Sequence, residues 1–370
     1  MPSKSKMKIA LITPHFEPII GGTPTVVYNI AKELAKLGNK VEVFTPAYSK
    51  KEKLKDKKEN FTITRTKWKG KLLSNLLFHL EIFPRLKEFD IIHSFHPYFG
   101  LSGYLASKIY GKKLFISLMG WDTYTPLKKT GFFLKQIMKI FSKKAEITFS
   151  PSKELKKRAL QQGLKEKIIV IPHGVNLKKI KLNKQEKEKK KKRLGISGKF
   201  IFLVVERLHP VKDPIFLLDA WKESNLQNAC LLIAGKGKLY NKMQNKIRKE
   251  GMKNVKMLGF VDPKKIDELY AISNAIIHYS LYESFGLILL EAMKYGLPVI
   301  ATKVGAIPEI VSDKEGRLIE LKDKLLFKKA ILNVMENKKK YNDLSKNCLK
   351  KIKKYEWNKI IKDYIKNYEK

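Results

Sequence analysis

The chain opens on a short apolar run, Lys8-Ile9-Ala10-Leu11-Ile12, which leads through Gly21-Gly22 into a stretch from Pro24 to Leu37 with helical spacing of its apolar residues. Gly38-Asn39 stops that helix, and Val41-Glu42-Val43-Phe44 reads as the next strand. Strand, helix and strand joined by short links form a βαβ unit, and such units pair their strands in parallel. The pattern recurs. Asp90-Ile91-Ile92-His93, Leu114-Phe115-Ile116-Ser117 and Ile147-Thr148-Phe149 predict strands, with helices over Leu101 to Tyr110 and Phe132 to Lys144 between them. Ile168-Ile169-Val170-Ile171 closes this first series.

The Lys-rich stretch from Lys178 to Arg193 has too little apolar content for a core and reads as a linker and exposed helix. A second series follows. Strands are predicted at Phe200 to Val205, Cys230 to Ala234, Ala275 to Ile277 and Pro298 to Ile300, and helices at Pro214 to Trp221, Ile266 to Ala271 and Gly286 to Met293. Two successive doubly wound α/β domains account for 370 residues better than one core would. The expected boundaries are a first domain over 1–176, a Lys-rich linker over 177–198, a second domain over 199–352 and a terminal helix over 353–370. That last helix is amphipathic, with Trp357, Ile360, Ile361 and Tyr364 near one face, and is expected to pack back toward the N-terminal domain.

Charge adds a partner to this picture. There are 77 Lys plus Arg against 35 Asp plus Glu, a formal net charge of +42. Such an excess attracts polyanions: nucleic acid, an anionic membrane surface or phosphorylated substrates. It is equally the signature of a compositional bias toward Lys and Ile. No helix-turn-helix, zinc or RNA-module signature is present, so nucleic acid is not expected. Leu127 to Lys144 and Gly70 to Lys87 mix large apolar residues with lysines, as interfacial helices do. Weak attachment to anionic lipid is therefore expected, each lysine near such a surface contributing ~1 kcal/mol. Cys230 and Cys348 form no disulfide framework or zinc spacing, which fits a reducing compartment. No run approaches the roughly 18 apolar residues of a membrane span. A cytoplasmic chain, peripheral on the cytoplasmic membrane face, is the expectation.

The candidate chemistry lies mainly in the second half. In Leu281-Tyr282-Glu283-Ser284-Phe285-Gly286-Leu287-Ile288-Leu289-Leu290-Glu291-Ala292-Met293, Glu291 stands within an apolar helix and Glu283 just before it. A buried carboxylate is costly unless something polar meets it. The amides of a helix N-terminus beside Gly286 make an anion site. Two carboxylates flanking such a site suit a phosphate held between two polyols, because each accepts two hydroxyl hydrogen bonds. A capping glutamate and a salt-bridged glutamate are the plain alternative. In Val205-Glu206-Arg207-Leu208-His209-Pro210-Val211-Lys212, Arg207 offers a planar fork and Lys212 a point charge, both suited to a diphosphate at a strand end.

These segments resemble family 4 retaining glycosyltransferases, which have the GT-B fold of two Rossmann-like domains facing a central cleft. The resemblance runs from Glu283 to Glu291, the family's Glu-x7-Glu motif, through Gly296-Leu297-Pro298-Val299-Ile300-Ala301 to Gly305-Ala306-Ile307-Pro308-Glu309-Ile310-Val311. It implies that Glu283 contacts the donor hexose and Glu291 the ribose, with Phe285, Gly286 and Leu287 beside the donor. Arg207 and Lys212 match the family's diphosphate pair, with Glu206 where the family usually has glycine. Gly22 resembles the N-terminal glycine loop. Ser117-Leu118-Met119-Gly120-Trp121-Asp122 resembles a His-Gly-x-Asp segment, but Met119 takes the histidine's place. His93, His96 and Asp122 are then the acceptor-side candidates.

The implied activity is transfer of a hexose-type sugar, with retention, from a UDP- or GDP-linked donor to a saccharide or lipid-linked acceptor, with Arg207, Lys212 and Glu283 catalytic. No Asp-x-Asp pair occurs, so no metal ligand and no cofactor beyond the donor is expected. A same-fold nucleotide-sugar epimerase, or an inactive sugar- or nucleic-acid-binding protein, remains the alternative.

Overall fold

The computed structural model describes residues 6–49, 52–67, 72–120, 132–164 and 167–370. Two compact units emerge: Met1–Gly174 together with Trp357–Lys370, and Val175–Glu356. The Lys-rich stretch forms the helix Lys184–Leu194, which buries no residue and belongs to the second unit. Asn183 and Glu186 close a capping box at its start.

In the first unit the strands are β1 (Lys8–Ile12), β2 (Lys40–Pro46), β3 (Lys55–Lys58), β4 (Phe61–Thr66), β5 (Ile91–Phe95), β6 (Lys113–Ser117), β7 (Ile147–Ser150) and β8 (Ile168–Val170). They lie in the order β3-β4-β2-β1-β5-β6-β7-β8. β3 runs antiparallel at one edge and the others pair in parallel. Parallel strands covered on both faces need near-continuous apolar runs. All five residues of β5 are accordingly buried, as are the last four of β1. Leu11 of β1 pairs with His93 of β5, and His93 with Phe115 of β6.

Helix α1 (Gly22–Lys36) buries Val26, Val27, Ile30, Ala31 and Leu34, the stripe that its sequence spacing predicts. The terminal helix (Trp357–Tyr368) belongs to this unit and buries Trp357, Ile360, Ile361, Tyr364 and Tyr368. Its aromatic face lies on the sheet: Tyr364 meets Phe149 at 4.9 Å and Tyr368 meets Phe115 at 4.9 Å. At its start, Trp357 presses on Gly174, where an added Cβ would fall 2.5 Å from the indole.

In the second unit the strands are β9 (Phe200–Val205), β10 (Ala229–Ala234), β11 (Val255–Gly259), β12 (Ala275–His278), β13 (Val299–Thr302) and β14 (Gly316–Ile319). All pair in parallel, in the order β11-β10-β9-β12-β13-β14. Alternate residues of β9 serve two core layers. Phe202 and Val204 pack with Trp221, Met243 and Phe327; Ile201 and Leu203 pack with Tyr270, Leu289 and Met293. Counted along the chain, this is the doubly wound order 3-2-1-4-5-6, which reverses between β9 and β12. Open α/β sheets bind ligands outside the carboxyl ends of the strands at that reversal.

Candidate functional site

The carboxyl ends of β9 and β12 bring the sequence candidates of the second unit together. β9 runs into Glu206, Arg207 and a short turn over Pro210–Lys212. β12 ends at His278, and its loop continues to Gly286, which caps the helix Leu287–Lys294 in a left-handed conformation. Backbone and hydroxyl contacts hold the β12 loop to itself, to the β9 loop and to the loop after β13. The Leu281 amide donates to the Val211 carbonyl at 2.8 Å, the Ser280 hydroxyl donates to the Tyr282 carbonyl at 2.6 Å, and the Ala306 amide donates to the Glu283 carbonyl at 2.9 Å. Gly305 makes the last approach feasible, since a Cβ there would lie 2.0 Å from the Glu283 carbonyl oxygen.

Lys212 and Glu283 meet at the centre. The Lys212 Nζ donates to Glu283 Oε2 at 2.6 Å, and both side chains are 16% exposed. His278, buried at the end of β12, lies 3.0 Å from the same oxygen through Nε2. A carboxylate only accepts, so that nitrogen carries the proton. Burial pushes the Glu283 carboxyl up, but Lys212 and His278 outweigh it and hold the group well below the usual range. Burial and the Lys212 charge push the His278 imidazole down, so it stays neutral near pH 7. Glu283 is thus a fixed anion beside a cation, with a neutral donor behind it.

Glu291 sits one turn into the Leu287–Lys294 helix and accepts from the Tyr270 hydroxyl at 3.0 Å. Burial raises its carboxyl above the ordinary range, with the Tyr270 hydrogen bond and the Lys294 charge opposing. Phe285 and Gly286 are buried and Leu287 half-buried at the start of that helix. Arg207 is exposed on the β9 loop. This gives one arrangement: cations and helix-end amides beside two carboxylates, at the topological reversal of the sheet.

The first unit has its own reversal, between β1 and β5. Gly22 opens α1 there, and His96 follows β5 at φ 82, uncommon for a residue other than glycine. His96 is buried, its ring tilted against Tyr98 at 5.1 Å. The acceptor-side expectation for His93 does not fit the geometry. The imidazole is 0% exposed, with Nδ1 at 2.6 Å from the Tyr368 hydroxyl and Nε2 at 2.7 Å from the Ser117 hydroxyl. Both ring nitrogens are occupied by the unit's own side chains, and burial lowers its pKa to about 3. His93 anchors the terminal helix to the sheet. Asp122 lies outside the described residues. Cys230 and Cys348 are both free and buried.

Two residues escape the sequence reading. His278 is the first polar residue after an apolar strand, five positions before Glu283, and that spacing was the available signal. Tyr270 is 21 positions from Glu291, on another helix, and nothing local marks it.

Two family profiles match the chain: one described as Glycosyltransferase Family 4, over residues 20–179, and one as Glycosyl transferases group 1, over residues 186–351. The UDP-Gal:alpha-D-GlcNAc-diphosphoundecaprenol alpha-1,3-galactosyltransferase of Escherichia coli is 28% identical over 294 residues, 76% of either chain. The alpha-monoglucosyldiacylglycerol synthase of Acholeplasma laidlawii is 26% identical over 374 residues, 92% of either chain. Among solved structures, sucrose-phosphate synthase from Thermosynechococcus elongatus superposes with a TM-score of 0.86 over 98% of both chains at 20% identity. HepE of Anabaena, solved with UDP and glucose, gives 0.82 over 98% of this chain and 99% of its own, also at 20% identity. The chain belongs to the family 4 glycosyltransferases and has the two Rossmann-like domains of the GT-B fold.

Proposed function

We propose that this glycosyltransferase moves a hexose, with retention of configuration, from a nucleoside-diphosphate sugar to a saccharide or lipid-linked acceptor. The observation that carries the reading is the Lys212–Glu283–His278 cluster at the reversal of the second unit's sheet, with Arg207 on the adjoining loop and a helix N-terminus opening at Gly286. The diphosphate would lie against Arg207, Lys212 and the helix-end amides, which stabilise charge on the leaving group. Glu283 would orient the hexose and Glu291 the ribose. In a front-face reaction the leaving phosphate oxygen accepts the proton of the acceptor hydroxyl. No protein base is then needed, and Met119 is tolerable in the segment that resembles His-Gly-x-Asp. The acceptor would be bound by the first unit, near Gly22 and His96. A UDP-linked donor is favoured by the E. coli relative, whose name specifies UDP-Gal, and by HepE, solved with UDP and glucose. A thermal-shift screen of UDP- and GDP-sugars, with and without EDTA, tests the reading. Stabilisation by at least one donor, unchanged by the chelator, is expected. No shift with any donor would refute the donor site, and a shift abolished by EDTA would refute the metal-free diphosphate contacts.

The acceptor's membrane setting rests on a second observation. Helices Leu72–Ile82 and Phe132–Lys144 both pack on the helix Leu101–Ile109. Leu76, Leu80, Ile109, Ile137 and Ile140 are exposed on these three helices, and so are Lys108, Lys143 and Lys144. Met138 and Phe141 of the Phe132–Lys144 helix already face the core, so Ile137 and Ile140 form a second, outward apolar side. No helix among the described residues is long and apolar enough to cross a membrane. We read this face as a peripheral contact with anionic lipid on the cytoplasmic side. The chain should cosediment with phosphatidylglycerol-containing vesicles at low salt and be largely released at 0.5 M NaCl, as screened charge requires. Equal binding to neutral vesicles, or no binding, would refute it.

A further inference from the structure

Glu206 is the first residue beyond β9. It is 9% exposed, and neither carboxyl oxygen has a hydrogen-bond partner among the described residues. Buried polar atoms are nearly always bonded, so an orphaned pair calls for an explanation. The backbone holds this residue firmly. Its amide donates to the Ala234 carbonyl at 3.1 Å, and its own carbonyl oxygen lies where a Cβ on Gly235 would be only 1.8 Å away. The backbone therefore cannot carry the residue outward without parting two strand ends.

The charged groups around it are few. Lys212 approaches from its own loop but is engaged by Glu283. Glu283 approaches from the loop after β12, with His278 behind it. Lys236, on the loop after β10, directs its ammonium over the Tyr240 ring at 5.8 Å. Arg207, the next residue, is exposed. Burial, only partly opposed by Lys212 and reinforced by Glu283, pushes the Glu206 carboxyl up to about 8. At neutral pH the group is thus an acid whose O–H lacks a protein acceptor, one residue from the proposed diphosphate contact. A nucleotide sugar's diphosphate diester is ionised and accepts only.

We propose that neutral Glu206 donates a hydrogen bond to a diphosphate oxygen of the sugar donor, and that ionised Glu206 repels the donor, making donor binding proton-dependent. This inference rests on the reading of the site as a nucleotide-sugar site. If only the neutral form binds, apparent affinity falls with the neutral fraction, about tenfold between pH 7 and pH 9. Binding above pH 8 must also take up protons.

The test is calorimetric titration of the full chain with UDP-glucose, and in a second arm GDP-mannose, from pH 6 to 9 in buffers of different ionisation enthalpy. The wild type should lose about tenfold in affinity from pH 7 to 9 and take up protons at the upper end. Glu206→Gln keeps an N–H donor of the same shape and cannot ionise. Its affinity should show a flat profile from pH 7 to 9, with no proton uptake from this position. Folding of the variant is checked by Tm. The folded value of Glu206 lies above that of an unfolded glutamate, so wild-type stability declines as pH rises from roughly 4.3 to about 8. The Gln variant should escape this decline and melt higher than the wild type at pH 8. Equal pH slopes in wild type and variant would overturn the role of Glu206 and leave the donor site standing. Binding of neither sugar nucleotide at any pH would overturn the donor site and this inference with it.

Discussion

Replacing Glu283 by Gln should lower turnover by about two to three orders of magnitude, the loss typical when one preorganised polar contact to the reacting centre is removed. The expectation follows from the geometry. Glu283 accepts from both Lys212 and His278, so its charge sets where the Lys212 ammonium lies. Gln retains the shape but has no charge to hold the cation. Donor affinity should change far less than kcat, because in the proposed site Arg207 and the helix-end amides would still meet the diphosphate and Glu283 would act mainly on the reacting sugar. The pair also contributes to stability with a definite sign. The folded value lies below that of an unfolded glutamate, roughly 4.3, so the stabilisation is present above that pH and lost as the pH falls below it. Glu283→Gln should therefore flatten the acid limb of a Tm-versus-pH curve. Steady-state kinetics with near-normal kcat would remove Glu283 from the reaction.

The second large effect concerns the terminal helix. Trp357→Ala should destabilise the first unit by about 3–5 kcal/mol, since a buried indole leaves a cavity that its neighbours cannot fill. For a unit of this size that is a fall of roughly 10 °C in Tm. Trp357 is 4% exposed and rests on Gly174, and the same helix places Tyr364 and Tyr368 on the sheet. Tyr368→Phe should cost less, about 1–2 kcal/mol, because it strips His93 of one partner and leaves its buried Nδ1 unsatisfied. Gly174→Val should reproduce the Trp357 defect from the other side of the contact. Thermal denaturation of the three variants checks the series. A Trp357→Ala protein with an unchanged Tm would show that the helix docks without contributing stability.

These two regions also show what could be read from sequence and what could not. Strands buried on both faces announce themselves, as in Phe200–Val205 and Ile91–Phe95, because parallel pairing demands unbroken apolar runs. Two of the edge strands do not. Lys55–Lys58 is all charged and Gly316–Ile319 has only four residues, so neither shows a strand period. The terminal helix was legible from its apolar stripe. That its last tyrosine would occupy His93, 275 positions away, was not, because no local pattern reports a partner so distant. His93 and His96 look alike in sequence, yet one is locked in a strand and the other sits beyond its end at positive φ. In the second unit, the chain positions of Arg207, Lys212, Glu283 and Glu291 were legible through motif spacing. The Lys212–Glu283 ion pair, the support from His278 and the burial of Glu206 arise only when β9 and β12 become neighbours.

The central claim is that a sugar nucleotide's diphosphate is held at the reversal between β9 and β12, with its sugars on the flanking carboxylates. A crystal structure of the chain with bound UDP-glucose tests it most directly. The diphosphate is predicted within hydrogen-bond reach of Arg207 and Lys212, the glucose hydroxyls against Glu283 and the ribose against Glu291. Density for the nucleotide elsewhere on the chain, with the Lys212–Glu283 pair untouched, would contradict it.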